Sequence, residues 1–382
     1  MERLKYFDYA ATTPMDLEAA QIYVKTATEY YGNTGSLHDA GSIAKDILEN
    51  CRRELAKMLG VDSSGIYFTS GGSESNYLGI QALLSSQKAK NKHHIISSLA
   101  EHTSIRSTLE ILEERGYEVT LLPFNEEGQI DIAMLKEATK ENTALIAIQH
   151  GNSEIGTLQP IAEIGEWCRE KDILFHSDSV HTFGKIDLHS FANKVDSFSM
   201  SAHKFYGPKG IGVGYVNPKL AWMPHYPGTT HENGFRPGTL NVPAIAAMTI
   251  AAQQMTARQE EIYAHTAHLR QLFITALAEI KDRVTIYSAK GEQQLPHTLA
   301  MRIHGVEGQW AMLECNRRGY AISTGSACST GLKAPAKTMT AMNVPDKPAK
   351  EMIRISFGRD TSEQDAAELA GILVQIAKES ML

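Results

Sequence analysis

The sequence predicts an α/β protein built on a mostly parallel sheet with helices on both faces, and three observations carry that expectation. Short apolar, β-branched runs alternate with amphipathic stretches between residues 66 and 216; parallel pairing of such strands requires crossover helices. The chain has 382 residues and 42% apolar content, enough for one large core plus a smaller one, since single cores stop growing near about 250–300 residues. From about Leu240 the pattern turns into a long Ala-, Met-, Gln- and Glu-rich helical stretch, which puts a boundary between two lobes near residue 255.

Taken in order, residues 66–69, 94–97, 119–122, 144–148, 173–176 and 197–200 read as strands, each short, rich in Ile, Val, Phe, Leu or Thr, and followed by a turn signal. The helical stretch over 240–280 comes next. Shorter strands resume at 302–303 and 352–356, and an amphipathic helix closes the chain. No internal repeat or low-complexity segment interrupts this order.

Composition excludes several function classes. Lys and Arg number 37 against 44 Asp and Glu, a net charge of −7 with no long run of either sign, so nucleic acid is not an expected partner. The first eight residues lack the apolar stretch of a signal peptide, and no window approaches the ~20 apolar residues of a membrane helix; a soluble, cytoplasmic protein is expected. The four cysteines, Cys51, Cys168, Cys315 and Cys328, include no Cys-x-x-Cys pair, so reduced thiols are the default.

Two strand ends carry the chemistry. Lys204 follows Ser201-Ala202-His203, and Asp178 ends an apolar run 26 residues upstream. An amine and a carboxylate so placed suit the aldehyde carbon and the ring nitrogen of pyridoxal phosphate, because an acid beside the nitrogen keeps it protonated and lets the ring accept electrons. Thr69-Ser70-Gly71-Gly72-Ser73-Glu74-Ser75-Asn76 follows a strand and opens a helix, a place where backbone N–H groups and hydroxyls receive a phosphate. Alone, that loop reads more simply as a helix capped by Ser73; Ser201 and His203, next to Lys204, add donors for the same phosphate. His102 follows another strand end, where an imidazole can lie on a cofactor ring and move protons; the rival reading is a helix-cap histidine. Cys328 sits in Ser323-Thr324-Gly325-Ser326-Ala327-Cys328-Ser329-Thr330-Gly331, a small-residue stretch suited to a thiol that must move. The other three cysteines lie in helical patterns and read as packed side chains.

These segments, with Tyr6-Phe7-Asp8-Tyr9-Ala10-Ala11-Thr12-Thr13-Pro14, Glu101-His102, Asn152-Ser153-Glu154-Ile155-Gly156, Arg236-Pro237-Gly238-Thr239, Ser326-Ala327-Cys328 and Ile353-Arg354-Ile355-Ser356, resemble the NifS/IscS type of cysteine desulfurase in the class V aminotransferase family, in the same order and over nearly the whole chain. The resemblance implies the fold type I of pyridoxal-phosphate-dependent transferases: a segment 1–15 near a small domain, a large domain 16–255 on a mostly parallel seven-stranded sheet, and a smaller α+β domain 256–382 carrying the cysteine. It implies Lys204 as the Schiff-base lysine and Asp178 as the ring-nitrogen partner, with His102 stacked on the ring. Gly72, Ser73, Ser201 and His203 would hold the phosphate, joined by Thr239 from the second subunit of a homodimer, with Asn152 among the cofactor contacts. Arg354 would grip the substrate carboxylate through its planar fork, and Cys328 would take sulfur from L-cysteine as a persulfide for an acceptor or scaffold protein. The stretch after Cys328 reads as a long loop as far as Asn343.

Two positions depart from the family pattern. Ser153 stands where an Asn is usual, beside the substrate carboxylate, and His181 stands where a Gln usually donates to the ring hydroxyl, which implies an added pH dependence. The Gly228-Thr229-Thr230-His231 stretch is altered too. Selenocysteine or cysteine sulfinate as substrate, or a low-turnover scaffold of a sulfur pathway, stay open alternatives, as does the sulfur acceptor.

Overall fold

The structure, a computed structural model, describes residues 4–325 and 335–380. A short strand β1 (Lys5–Tyr6) opens the chain, and β2 (Ile66–Thr69), β3 (His94–Ser98), β4 (Glu118–Leu122), β5 (Thr143–Ala147), β6 (Leu174–Asp178), β7 (Ser197–Ser201) and β8 (Gly212–Val216) follow. Strands β2 to β8 make one seven-stranded sheet in the order β2-β8-β7-β6-β5-β3-β4. Only β8 runs antiparallel, against both β7 and β2, while the remaining pairs are parallel. The expected mostly parallel α/β sheet is therefore present.

Burial explains how these strands read in the sequence. Every residue of β2, β3 and β5 to β8 is buried, which yields continuous apolar runs in place of alternation, the mark of a sheet covered on both faces. The edge strand β4 buries only Leu122 fully. Sequence reasoning assigned no strand to β8, because Gly212 and Gly214 have low strand propensity. Their presence has a packing cause: a Cβ on Gly212 would lie 2.5 Å from Met200 O and 2.7 Å from Gly71 Cα. The strand must be bare there so that the Gly71 turn can sit against it.

The single helical stretch expected over 240–280 is two helices, Val242–Ala257 and Gln259–Ala276, broken at Arg258. The first is buried almost all round and belongs to the core that includes Leu55, Phe175, Phe198 and Met200. The second buries Ile262, Thr266, Leu269 and Phe273, a stripe at helical spacing, and Leu269 and Phe273 join a separate core with Phe7, Leu299, Ile353, Ile355, Leu369 and Leu373. That second core lines an antiparallel sheet of β9 (Val284–Tyr287), β10 (Thr298–Ile303) and, after the short β11 (Tyr320–Ala321), β12 (Met352–Ser356), in the order β12-β10-β9. The amino-terminal segment joins both regions. β1 pairs with β11, Ser356 N donates to Phe7 O, and Thr13 N donates to His203 O. Among the described residues no helix is long and apolar enough to cross a membrane.

Candidate active site

The carboxyl ends of β3, β6 and β7 deliver the site, as expected for an open parallel sheet. A cavity of about 250 Å³ is lined by His102 from beyond β3, Asp178, Val180 and His181 from the end of β6, and Ser201, His203 and Lys204 from the end of β7. Gly72, Ser73 and Asn76 enter from the first turns of the Gly72–Ser85 helix, and Arg354 from β12. Ala10, Ala11, Gln149, Gly151 and Ser153 complete the wall. Residues scattered over 344 positions of sequence therefore share one surface, from Ala10 to Arg354.

At one end the helix opens without a side-chain cap. Gly71 is the N-cap, at φ +148°, with no side-chain hydrogen bond, so Ser73 lies inside the first turn and not at the cap. A Cβ on Gly72 would stand 2.6 Å from Val180 Cγ2; only glycine lets the turn approach β6 and β7 so closely. Gly71, Gly72, Ser73, Thr12, Ser201, His203 and Lys209 surround an adjoining recess of about 340 Å³. The His203 ring is hydrogen-bonded to Thr12 Oγ1 at 3.1 Å, and burial, then Lys204 and Lys209, lower its pKa to about 4.

Asp178 is 7% exposed and is aimed by two donors, Val180 N on Oδ1 and Asn76 Nδ2 on Oδ2, both at 2.9 Å. Asn76 is itself fixed: Nδ2 also donates to Ser104 Oγ at 3.0 Å, and Oδ1 bonds His176 Nε2 at 3.0 Å. His102 caps the next helix. Its Nδ1 accepts from Ser104 N at 3.1 Å, so the neutral ring carries its proton on Nε2. The imidazole is exposed because the cavity itself is open, yet the walls desolvate it and lower its pKa, with Lys204 and Lys337 acting in the same direction and Asp178 opposing.

Lys204 donates from Nζ to Ala10 O at 2.7 Å and Ala11 O at 2.9 Å, so the amino-terminal segment receives its ammonium. Behind it, Lys185 donates to Lys204 O at 3.2 Å; burial, reinforced by Lys204, lowers the Lys185 pKa to about 7. His181 reaches the cavity, but burial first, and then Lys204, Lys185 and Arg354, push it well below the usual imidazole range. Burial and the neighbouring cations thus favour the neutral His181 ring. His297, 5% exposed, is depressed by burial, Lys185 and Arg354, and neither ring nitrogen has a partner among the described residues.

Asn152 does not line the cavity. Its Oδ1 accepts from Glu154 N and Ile155 N, each at 2.9 Å, and its Nδ2 donates to Thr338 Oγ1 at 2.9 Å; the amide closes the turn that presents Ser153. Thr239 is exposed and outside this chain's own cavity. Cys328 lies outside the described residues. On its described flanks, Ser323 pairs with Arg354 through both backbone groups, and Thr338 N donates to Glu154 Oε2 at 2.9 Å. The helix Lys337–Ala341 occupies part of the stretch read as loop as far as Asn343. Cys51, Cys168 and Cys315 are buried in helices, and burial raises each thiol, Cys315 to about 12. Among the described residues no cluster could hold a metal ion. Sequence reasoning missed Asn76 and Gln149 in the cavity wall, and Lys185 and His297 buried outside its lining; for Asn76 a signal existed, since it lies four residues after Gly72 and so on the same helix face.

The chain belongs to the aminotransferase class-V family, whose match spans residues 5–369. Members of that family work with pyridoxal phosphate. The chain is 46% identical over 365 residues to the putative cysteine desulfurase NifS of Bacillus subtilis (strain 168), with 95% of this chain and 92% of the relative covered. Among solved structures it matches a NifS-like protein with a TM-score of 0.90 at 30% identity, covering 98% of this chain and 100% of the other. It also matches SspA in complex with cysteine with a TM-score of 0.78 at 32% identity, covering 92% and 98%.

Proposed function

We propose that the protein is a cysteine desulfurase: it converts L-cysteine to L-alanine and takes the sulfur onto Cys328 as a persulfide that an acceptor protein removes. The observation that carries this reading is the single cavity where Lys204, Asp178, His102 and Arg354 meet beside the uncapped helix turn, in a chain 46% identical to a putative cysteine desulfurase. The donor set fits pyridoxal phosphate. The bare Gly71-Gly72 turn, Ser73, Ser201 and His203 suit its phosphate, Asp178 suits the ring nitrogen, and neutral His181 suits the ring hydroxyl as a single donor. Lys204 would bond the aldehyde carbon, and Thr239 would reach the phosphate from the second subunit of a homodimer. When bound, the cofactor supplies an electron sink for the substrate α-carbon.

The remaining work falls to the chain. Arg354 binds the substrate carboxylate and sets the orientation of the amino acid. The Lys204 amine takes the α-proton, and His102 holds a donatable proton on Nε2 over the same site. The Cys328 thiolate attacks the substrate sulfur: an S–S bond forms, the Cβ–S bond breaks, and the electron pair left on the β-carbon collects a proton to become the methyl group of alanine. Because burial keeps the other three thiols protonated, Cys328 is the cysteine left for this step.

The test is the visible spectrum of the purified protein before and after L-cysteine, with alanine quantified. A yellow protein whose band shifts on L-cysteine and which forms alanine supports the reading; a protein that binds the cofactor and yields no alanine refutes it. Cys328→Ser is expected to keep the cofactor band and release no sulfide, and normal release would refute the nucleophile.

A further inference from the structure

Two of the three nitrogens of the Arg354 guanidinium are held by other groups of the chain. Nη2 pairs with Asp8 Oδ1 at 2.7 Å, and Nη1 donates to Ser153 O at 2.9 Å. Nε is buried without a partner among the described residues. The side chain is 2% exposed, so its charge needs a carboxylate close by, and Asp8 is that carboxylate. Asp8 lies outside the cavity lining.

Backbone pairing holds Asp8 beside the strand that carries Arg354. Asp8 bridges Ser356 on β12, the strand that carries Arg354. Ser356 N donates to Phe7 O at 2.8 Å, Ala10 N to Ser356 Oγ at 2.9 Å, Ala11 N to Asp8 O at 2.9 Å, and Tyr6 Oη to Asp8 O at 2.9 Å. The backbone that presents the carboxylate is thus stitched to its arginine's own strand, and the Asp8 side chain reaches Arg354 from a fixed Cα. Of the five guanidinium N–H groups, Asp8 and Ser153 take one each and leave three.

We propose that Asp8 is a positioning residue: it fixes the plane of the Arg354 guanidinium so that the remaining N–H groups meet the α-carboxylate of the amino-acid substrate, and it thereby sets selectivity for a carboxylate-bearing ligand. The proposal rests on the reading that Arg354 binds that carboxylate. It excludes the opposite role, in which Asp8 is a stand-in for the substrate and is expelled when the substrate binds.

The two roles differ in sign. Dissociation constants for L-alanine, and for ethylamine as the same amine without a carboxylate, are measured from the absorbance of the holoenzyme for wild type, Asp8→Asn, Asp8→Ala and Arg354→Gln, with kcat and KM for L-cysteine alongside. Asp8→Ala is expected to weaken L-alanine about ten- to hundredfold, and Asp8→Asn, which keeps the acceptor oxygen, about three- to tenfold. Ethylamine is expected to stay within about twofold in both, with the L-cysteine penalty in KM and not in kcat. Unchanged or tighter L-alanine binding by Asp8→Asn overturns the proposal, as does an equal loss for ethylamine. Should Asp8→Ala fail to fold, Asp8→Asn decides alone. Arg354→Gln binding L-alanine as well as wild type would sink the Arg354 reading and the proposal together; loss in Arg354→Gln with Asp8→Asn unaltered sinks the Asp8 role only.

Discussion

Glu101, one residue before His102, is 1% exposed and holds its carboxyl against Ser98 Oγ and Gln149 N. Burial, reinforced by Asp178, raises its pKa from 4.5 to about 8, so at neutral pH the native state keeps a proton that the unfolded chain releases. A raised acid contributes stability that is complete below about pH 4.5 and lost as pH rises through about 8. Glu101→Gln is neutral in both states, and its one amide oxygen can still accept from Ser98 Oγ and Gln149 N, although its NH2 group accepts nothing. Its Tm is expected to fall less than that of wild type between about pH 5 and 8, and parallel Tm curves would contradict this. At this scale Lys204, Asp178 and His102 were legible because each follows an apolar run, and strand ends of a parallel sheet gather at one edge. Asn152 stands off the cavity lining, since an Asn after a strand end can serve either the cavity or its own turn, and two local N–H donors take its side-chain oxygen. Lys185 and His297 were invisible because their environment comes from residues far away in sequence.

At the scale of elements, the turn into the Gly72–Ser85 helix shows how local sequence and distant packing combine. The Gly-Gly pair announced a turn, but only the structure shows Gly72 packed on Val180 with room for no Cβ. Gly72→Ala must move the turn or Val180, at a cost of about 1–3 kcal/mol as for other overpacked sites. The expected outcome is faster loss of cofactor on dialysis with a modestly lower Tm; full retention would show that the turn does not set the phosphate site. Strand β8 escaped sequence reasoning for the same reason that Gly72 matters, since its glycines make room for the Gly71 turn. The break at Arg258 has no proline or glycine to announce it. Its partition is legible in hindsight: the segment before it is apolar all round, the segment after it carries only a stripe.

Over the whole molecule, the cavity lies where two cores meet, with Lys204 and Asp178 from the seven-stranded sheet and Arg354 from the three-stranded one. The amino-terminal segment binds both sides, giving the Ala10 and Ala11 carbonyls to Lys204 and the Asp8 carboxylate to Arg354. A backbone carbonyl carries no sequence signature, so this arrangement could only come from the fold. The central claim is that Lys204, in the wall of this cavity, bonds the cofactor. The most direct measurement is borohydride reduction of the purified holoenzyme followed by peptide mass mapping. The pyridoxyl mass is expected on the peptide containing Lys204 and nowhere else, and to disappear in Lys204→Ala; label on Lys185 or another lysine, or none on a yellow protein, would contradict the account.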